Sequence, residues 1–261
     1  MSKDLTRNEV ATLFEDLKGK RILVTGASSG IGACIADLLG SYGAFVGVHY
    51  RSNEKGAIDI VNNIKKQGGR AEAFQGDLLH ASVRANLIKS FIDAFGSIDV
   101  LVNNAGGVYG FKHFLELDEE SWDDTFALDA KVPFFLAKSA FSFMKEQGGG
   151  KIINISSISA KYGGSPQTLH YGAAKAALDS LTIGLARAGA QYNILVNSVR
   201  GGFVDTPFHK KIGRSNLEDR IKLIPLKRAG QPIDIARMVL FLASSAGDYI
   251  TGEVFTIAGG D

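Results

Sequence analysis

A tyrosine and a lysine lie four residues apart, at Tyr171 and Lys175, in a segment with helical character. Residues at positions i and i+4 are neighbours on one face of a helix, so the phenol and the ammonium are expected to lie side by side. An ammonium beside a phenol favours the phenolate, and the pair therefore predicts a tyrosine pKa below its ordinary value of about 10. Such a phenol can exchange a proton with a substrate hydroxyl or carbonyl group. Because the same pair also occurs by chance in helices, its interpretation depends on the elements that position it.

Seven apolar segments alternate with longer amphipathic segments from residue 20 onward. The predicted strands cover residues 21–25, 44–50, 70–75, 98–103, 151–156, 194–199 and 253–257. Short segments that are apolar throughout are typical of parallel strands covered on both faces. Alternation of strands with helices predicts an α/β fold, a Rossmann-type doubly wound parallel sheet of about seven strands with helices on both faces.

The chain shows no internal repeat and no linker, so residues 19–261 are expected to form a single domain. Residues 1–18 have apolar side chains at helical spacing, which predicts an accessory helical extension packed on the domain or on a neighbouring subunit.

Composition argues against several classes of protein. The chain has 29 basic and 27 acidic residues and a net charge of +2 without a basic block, so no nucleic-acid partner is expected. The single cysteine, Cys34, leaves no intramolecular disulfide, and no cluster of His, Asp and Glu has the spacing of a metal site, so we expect no catalytic metal. No apolar segment is long enough to span a bilayer, and no signal-peptide core is present. We therefore expect a cytoplasmic protein without a membrane partner.

The first predicted strand leads directly into a glycine-rich turn, Gly26-x3-Gly30-x-Gly32, which an apolar helix follows. Glycines let a backbone approach a pyrophosphate, and the start of a helix offers free N–H groups and the positive end of its dipole. The spacing differs from the commoner Gly-x-Gly-x-x-Gly pattern. Its position between a strand and a helix favours a phosphate site over a purely structural turn.

The end of the second predicted strand, Tyr50-Arg51-Ser52, indicates which dinucleotide binds. Proteins that bind NAD usually place an acidic residue there, about twenty residues beyond the glycines. This chain has no carboxylate at that point, and Arg51 could pair with a 2′-phosphate as a planar donor. We therefore predict NADP(H) as the cofactor. NAD(H) is the alternative, in which Arg51 is simply an arginine at an exposed strand end.

Further motifs follow in a fixed order along the chain. They are Asp77-Leu78, Asn103 to Gly106, Ile152 to Ser157, Tyr171 to Lys175, Val204 to Thr206 and Tyr249 to Gly252. Together with the glycine turn, these motifs resemble those of the classical short-chain dehydrogenase/reductase (SDR) family, over about residues 19–261. Each motif alone is weakly specific, but their combined order is highly specific.

The resemblance implies an NADP(H)-dependent oxidoreductase that interconverts a ketone and a secondary alcohol by hydride transfer. Tyr171 would be the general acid, and Lys175 would lower its pKa and bind the nicotinamide ribose. Ser157, rather than its neighbour Ser156, would hold the substrate carbonyl. The cofactor-binding residues that the resemblance implies are Gly26, Ser28, Ser29, Gly30, Ile31, Gly32, Tyr50, Arg51, Ser52, Asp77, Leu78, Asn104, Ala105, Gly106, Tyr171, Lys175, Val204 and Thr206. It also implies a homo-oligomer, a tetramer or a dimer, with long helices near 121–146 and 167–189 at one interface.

One departure from the family pattern lies seven residues after Trp122, where an asparagine is usual and this chain has Asp129. A carboxylate near Lys175 would favour the ammonium but oppose formation of the tyrosinate. We therefore include Asp129 among the candidate catalytic residues and expect it to shift the activity optimum upward in pH. The alternative is that Asp129 is only a local hydrogen-bond acceptor.

A second departure is Arg200-Gly201, where the family usually has Pro-Gly beside the nicotinamide pocket. Because of these two departures, a non-catalytic nucleotide-binding or regulatory protein on the same scaffold stays open as a third alternative. In the β-ketoacyl-carrier-protein reductases of the family, two arginines dock the acidic carrier protein. These arginines align with Gly148 and Tyr192 here, so a β-ketoacyl group on a carrier protein is not favoured as the substrate.

The resemblance also locates a pocket for a small carbonyl or alcohol substrate. Its expected lining is Val108, Tyr109, Ser159, Tyr162, His170, Phe203, Phe208 and His209. The segment 208–228 adds seven basic residues, namely Lys210, Lys211, Arg214, Arg220, Lys222, Lys227 and Arg228. These cations could attract an anionic substrate or could form a solvated helix face.

Overall fold

The computed structural model describes residues 14–214 and 217–261, which form one parallel sheet with helices on both faces. The strands are β1 (Arg21–Val24), β2 (Phe45–Tyr50), β3 (Arg70–Gln75), β4 (Val100–Asn103), β5 (Gly150–Ser157), β6 (Ile194–Gly201) and β7 (Val254–Ile257). The sheet order is β3-β2-β1-β4-β5-β6-β7. The connections therefore change direction between β1 and β4, and ligands of open α/β sheets bind beyond the carboxyl ends of the strands at such a point.

Ten α-helices occur in the described residues. They are α1 (Gly30–Ser41), α2 (Glu54–Lys66), α3 (Ala81–Phe95), α4 (Glu119–Phe126), α5 (Val132–Glu146), α6 (Ser159–Tyr162), α7 (Leu169–Gly189), α8 (Pro207–Lys211), α9 (Leu217–Leu223) and α10 (Pro232–Ala243). None of the described helices has the length and apolar character needed to cross a membrane.

Two apolar cores lie on opposite faces of the sheet. Side chains of α1, α2 and α10 pack in one core, and side chains of α3 and α5 pack in the other. Along β1, Ile22 and Val24 face the first core and Leu23 faces the second, and all three are fully buried. This burial on both faces explains why the strand is apolar from Ile22 to Val24 rather than alternating.

The predicted α/β fold with its seven-stranded parallel sheet is confirmed, and the strand ends differ from the prediction by at most two residues. The predicted single helix near 121–146 differs from the structure, because α4 and α5 are separated by a π-helical turn at Ala127–Lys131. Such turns, with one extra residue per hydrogen-bonded ring, occur frequently at functional sites. The turn places Asp129 in a fully buried position.

The predicted N-terminal extension, residues 1–18, lies mostly outside the described residues. The part that the structure describes contains a short 3-10 turn, Glu15–Leu17, and Leu17 packs fully buried in the first core.

Candidate active site

The carboxyl ends of the central strands open into one cleft of ≈ 940 Å³. Nearly all of the predicted cofactor-binding residues line it, namely Gly26, Ser28, Ser29, Gly30, Ile31, Gly32, Arg51, Ser52, Asp77, Leu78, Asn104, Ala105, Gly106, Tyr171, Lys175, Val204 and Thr206. Tyr50 is the exception, because its side chain is only 8% exposed and packs in the first core. Side chains alternate along a strand, so it is the next residue, Arg51, that lines the cleft.

The glycine turn at one end of the cleft has the form of an anion site. Gly26 and Gly30 adopt φ values of 63° and 57°, a region that favours glycine. A Cβ atom on Gly32 would overlap the side-chain nitrogen of Asn104 and the carbonyl oxygen of Gly26. The side chain of Ser29 forms no capping hydrogen bond at the start of α1, so the first N–H groups of the helix are available to a ligand. These features fit the pyrophosphate of a dinucleotide.

His49, a residue that the sequence analysis missed, holds this turn in place. The Gly26 N–H donates to His49 Nδ1 at 3.2 Å, and His49 Nε2 lies 3.1 Å from the Gly76 carbonyl oxygen. Since Nδ1 accepts, Nε2 must carry the proton and donate. Burial lowers the pKa of His49 from 6.5 to about 4, so the ring is neutral at neutral pH. The sequence signal for this role is a histidine inside the otherwise apolar strand β2.

An ion pair lies beneath the other end of the cleft. Lys175 Nζ is 2.9 Å from Asp129 Oδ1, and these side chains are 4% and 0% exposed. Lys175 also donates to the carbonyl oxygen of Ile155 at 2.9 Å, and the Gly107 N–H lies 3.3 Å from both Asp129 oxygens. A Cβ atom on Gly106 would lie 2.5 Å from Asp129 Oδ1, so the pair requires glycine there. Asp129 lies behind Lys175 and does not line the cleft.

The charges of this pair influence each other strongly. Burial alone would lower the pKa of Lys175, but Asp129 and Tyr171 raise it above its ordinary value, so the side chain keeps its ammonium. Burial raises the pKa of Asp129, and the charge of Lys175 opposes that rise only in part.

Tyr171 lines the cleft above the ion pair, with Lys175 Nζ 5.7 Å from the centre of its ring. Burial raises the pKa of the phenol above its ordinary value, Lys175 lowers it, and Asp129 raises it again. The prediction that Lys175 brings this pKa below its ordinary value is therefore wrong for this structure. The physical reason is that burial outweighs the effect of the ammonium and that Asp129 also raises the pKa.

Two adjacent serines at the end of β5 point in different directions. Ser157 lines the cleft, and its Oγ accepts a hydrogen bond from the Ser159 N–H at 3.1 Å. Tyr171 lines the same cleft. Ser156 also borders the cleft, but it is only 4% exposed and donates to the carbonyl oxygen of Lys175. This geometry favours Ser157 as the residue that holds the substrate carbonyl.

Most of the predicted substrate pocket lies at this end of the cleft. Val108, Tyr109, Ser159, Tyr162, Phe203, Phe208 and His209 line it. His170 does not, because it faces away from Tyr171 and its Nε2 lies 2.8 Å from the carbonyl oxygen of Tyr109. Arg200 also points elsewhere, since its Nε is 2.7 Å from Asp179 Oδ2 in α7. Among the described residues, no group of three His, Cys, Asp or Glu side chains could hold a metal ion.

Comparisons with known proteins relate this chain to several reductases and dehydrogenases. A family model described as enoyl-(acyl carrier protein) reductase matches residues 26–260. The 3-oxoacyl-(acyl-carrier-protein) reductase FabG of Staphylococcus aureus is 38% identical, and the match covers 92% of this chain and 97% of the relative. The angucycline C-6 ketoreductase LanV with bound NADP is 35% identical, with a TM-score of 0.87 and coverage of 94% and 96%. A 7α-hydroxysteroid dehydrogenase complexed with NADH and a 7-oxo bile acid conjugate is 32% identical, with a TM-score of 0.88 and the same coverage.

The buried His49 predicts a specific dependence of stability on pH. Its pKa is about 4 in the folded protein and 6.5 ordinarily, so the unfolded chain binds its proton more readily. The stabilisation is complete above pH 6.5 and is lost as the pH falls toward 4. In His49→Gln, the drop in the free energy of unfolding between about pH 7 and about pH 4.5 should be smaller than in the wild type by about 2.5 kcal/mol. Urea unfolding measures this difference.

The matched control is His80→Gln, at an exposed histidine. It should retain the pH dependence of the wild type. Equal pH dependence in the His49→Gln variant and the wild type would contradict a neutral, buried His49.

Proposed function

The chain belongs to the short-chain dehydrogenase/reductase family of oxidoreductases that act on ketones and alcohols, and we propose that it uses NADP(H), with Tyr171 as the general acid or base. The observation that carries this proposal is that Ser157, Tyr171 and Lys175 meet at one end of a cleft whose other end is the glycine turn.

The residues around Tyr171 support separate roles in reduction of a ketone. The reduced nicotinamide, when bound, supplies the hydride that forms the new C–H bond. The phenol of Tyr171 gives its proton to the carbonyl oxygen, which becomes the hydroxyl of the product alcohol. Ser157 Oγ accepts from Ser159 N–H, so its own proton is free to donate to the same oxygen. Because the pKa of Tyr171 lies above its ordinary value, its phenol is protonated at neutral pH, which favours reduction.

Arg51 supports NADP(H) as the cofactor. It lies on the wall of the cleft just beyond β2, and its Nη1 donates to the hydroxyl of Tyr109 at 3.0 Å. This contact positions the guanidinium, and the other N–H groups remain able to bind a 2′-phosphate as charge-assisted donors. Among the relatives, LanV was solved with NADP and the hydroxysteroid dehydrogenase with NADH. NAD(H) is therefore the alternative that an experiment must separate.

An exposed apolar surface supports association into a homo-oligomer. Trp122 of α4, Phe135 and Phe143 of α5 and Ile183 of α7 are 37–47% exposed. These helices include the segments that the family resemblance places at a subunit interface, where large apolar side chains become buried on association. We propose a tetramer or a dimer.

Substitution Tyr171→Phe tests the assigned acid. It removes the proton donor and retains the ring, so we expect turnover of a panel of small ketones to fall by about 10²- to 10⁴-fold. NADPH affinity, measured by fluorescence titration, should change by less than about twofold, because the ring still fills the same space. Activity close to that of the wild type would contradict the role of Tyr171.

Substitution Arg51→Ala tests the cofactor. Loss of a charge-assisted hydrogen bond to the 2′-phosphate should weaken NADPH binding about 10- to 100-fold and leave NADH binding nearly unchanged. Fluorescence titration with both dinucleotides measures the two affinities. Lys55→Ala, an exposed cation nearby on α2 that does not line the cleft, is the matched control.

Equal weakening for both dinucleotides, or a preference of the wild type for NADH, would contradict the role of Arg51. Binding of neither dinucleotide by the wild type would favour a non-catalytic protein on this scaffold.

A further inference from the structure

On the basis of the proposed reductase activity, we infer that the substrate is an oxo acid, a ketone whose carbon chain carries a carboxylate, and that Arg214 binds this carboxylate. Four observations on the described residues support the assignment.

The first observation is the distribution of charge along the cleft. Lys211, Arg214 and Arg220 line its substrate end. Among the described residues that line the cleft, the only carboxylate is Asp77, which follows β3 at the nucleotide end. The substrate end is therefore cationic, and a cleft lined by one sign of charge concentrates ligands of the opposite sign.

The second observation is the position of Arg214. Its backbone N–H donates to the His209 carbonyl oxygen at 3.0 Å, which anchors the residue just beyond α8. Its guanidinium carbon lies 5.7 Å from the centre of the Phe111 ring, across the cleft. Arg214 and Tyr171 line the same cleft, and the Arg214 charge lowers the pKa of Tyr171. A carboxylate at Arg214 would consequently be near the reacting carbonyl.

The third observation is that Arg214 and Arg220 differ in their partners. Arg220 forms an ion pair with Asp261. Within the described part of the chain, neither an ion pair nor a hydrogen bond is formed by the guanidinium of Arg214. Burial and the nearby Arg220 lower the pKa of Arg214, which means that its charge is poorly compensated. A half-buried guanidinium without an acceptor is stabilised when an anion binds.

The fourth observation is the apolar surface between the two polar groups. The ring of Phe208 lies 6.4 Å from that of Tyr171, and Phe111 faces Arg214. These rings can pack against a short carbon chain. Bidentate binding of a carboxylate at Arg214 and hydrogen bonds to the carbonyl at Tyr171 and Ser157 would hold the ketone at two points, which fixes its orientation for reaction.

Binding to a protein that cannot complete the reaction provides the test. Tyr171→Phe, saturated with NADPH, is titrated calorimetrically with pyruvate, acetoacetate and levulinate and with their methyl esters. The series varies the spacing between carbonyl and carboxylate, and each ester removes the charge and keeps the ketone. We expect at least one acid to bind about 10- to 100-fold more tightly than its ester, since a charge-assisted pair is lost in the ester.

The same titration in Tyr171→Phe/Arg214→Gln should abolish the preference for the acid and leave the affinity for the ester within about twofold. Tyr171→Phe/Lys210→Gln is the matched control, because Lys210 is an exposed cation of α8 that does not line the cleft. It should bind both ligands as the Tyr171→Phe protein does. The inference is overturned if no acid binds better than its ester, or if Arg214→Gln weakens acid and ester equally.

Turnover by the protein with Tyr171 intact separates this inference from the proposed function. Reduction of the esters without an advantage for any acid would overturn the anion site and leave the reductase function standing. Binding of an acid through Arg214 without turnover of any ketone in the panel would support the anion site and overturn the reductase function.

Discussion

The buried ion pair between Lys175 and Asp129 is the interaction on which the candidate active site depends. Removing two charges from water is unfavourable, and the pair is stable only because Ile155 and Gly107 supply further hydrogen bonds to it. Lys175, Asp129 and protonated Tyr171 together carry no net charge. Ionisation of Tyr171 therefore leaves a net negative charge in a largely buried cluster, which explains why its pKa lies above its ordinary value.

The two ends of the cleft are built by different means from the same edge of the sheet. The nucleotide end presents backbone N–H groups at the start of α1, and the neutral ring of His49 holds the preceding turn without adding a charge. Asn104 donates to the carbonyl oxygens of Thr25 and Gly26, at 2.9 and 3.1 Å, and thereby connects β4 to that turn. The substrate end is lined by the cations Lys211, Arg214 and Arg220, whereas, among the described charged residues, the nucleotide end adds only Arg51 and Asp77 to its backbone groups.

Much of the fold could be predicted because its signals are local. Strand β1 is apolar from Ile22 to Val24 and ends at the glycine turn, so both its burial and its role follow from adjacent residues. The details that could not be predicted depend on tertiary packing. The π-helical turn around Asp129, the inward orientation of Tyr50 and the partner of Arg200 have no local signature. The direction of the Tyr171 pKa shift could not be predicted either, because it depends on how deeply the tertiary fold buries the phenol and on the charge of Asp129.

Direct titration of Tyr171 with and without the Asp129 carboxylate tests the central role of the ion pair most directly. The ultraviolet difference spectrum between the wild type and Tyr171→Phe isolates the ionisation of this tyrosine and needs no substrate. The same difference is measured between Asp129→Asn and Asp129→Asn/Tyr171→Phe. With Asn at 129 and Lys175 protonated, the cluster would change from a positive to a zero charge on ionisation, so we predict that the midpoint falls to a lower pH. Coincident midpoints in the two backgrounds would contradict control of Tyr171 by the Lys175–Asp129 pair.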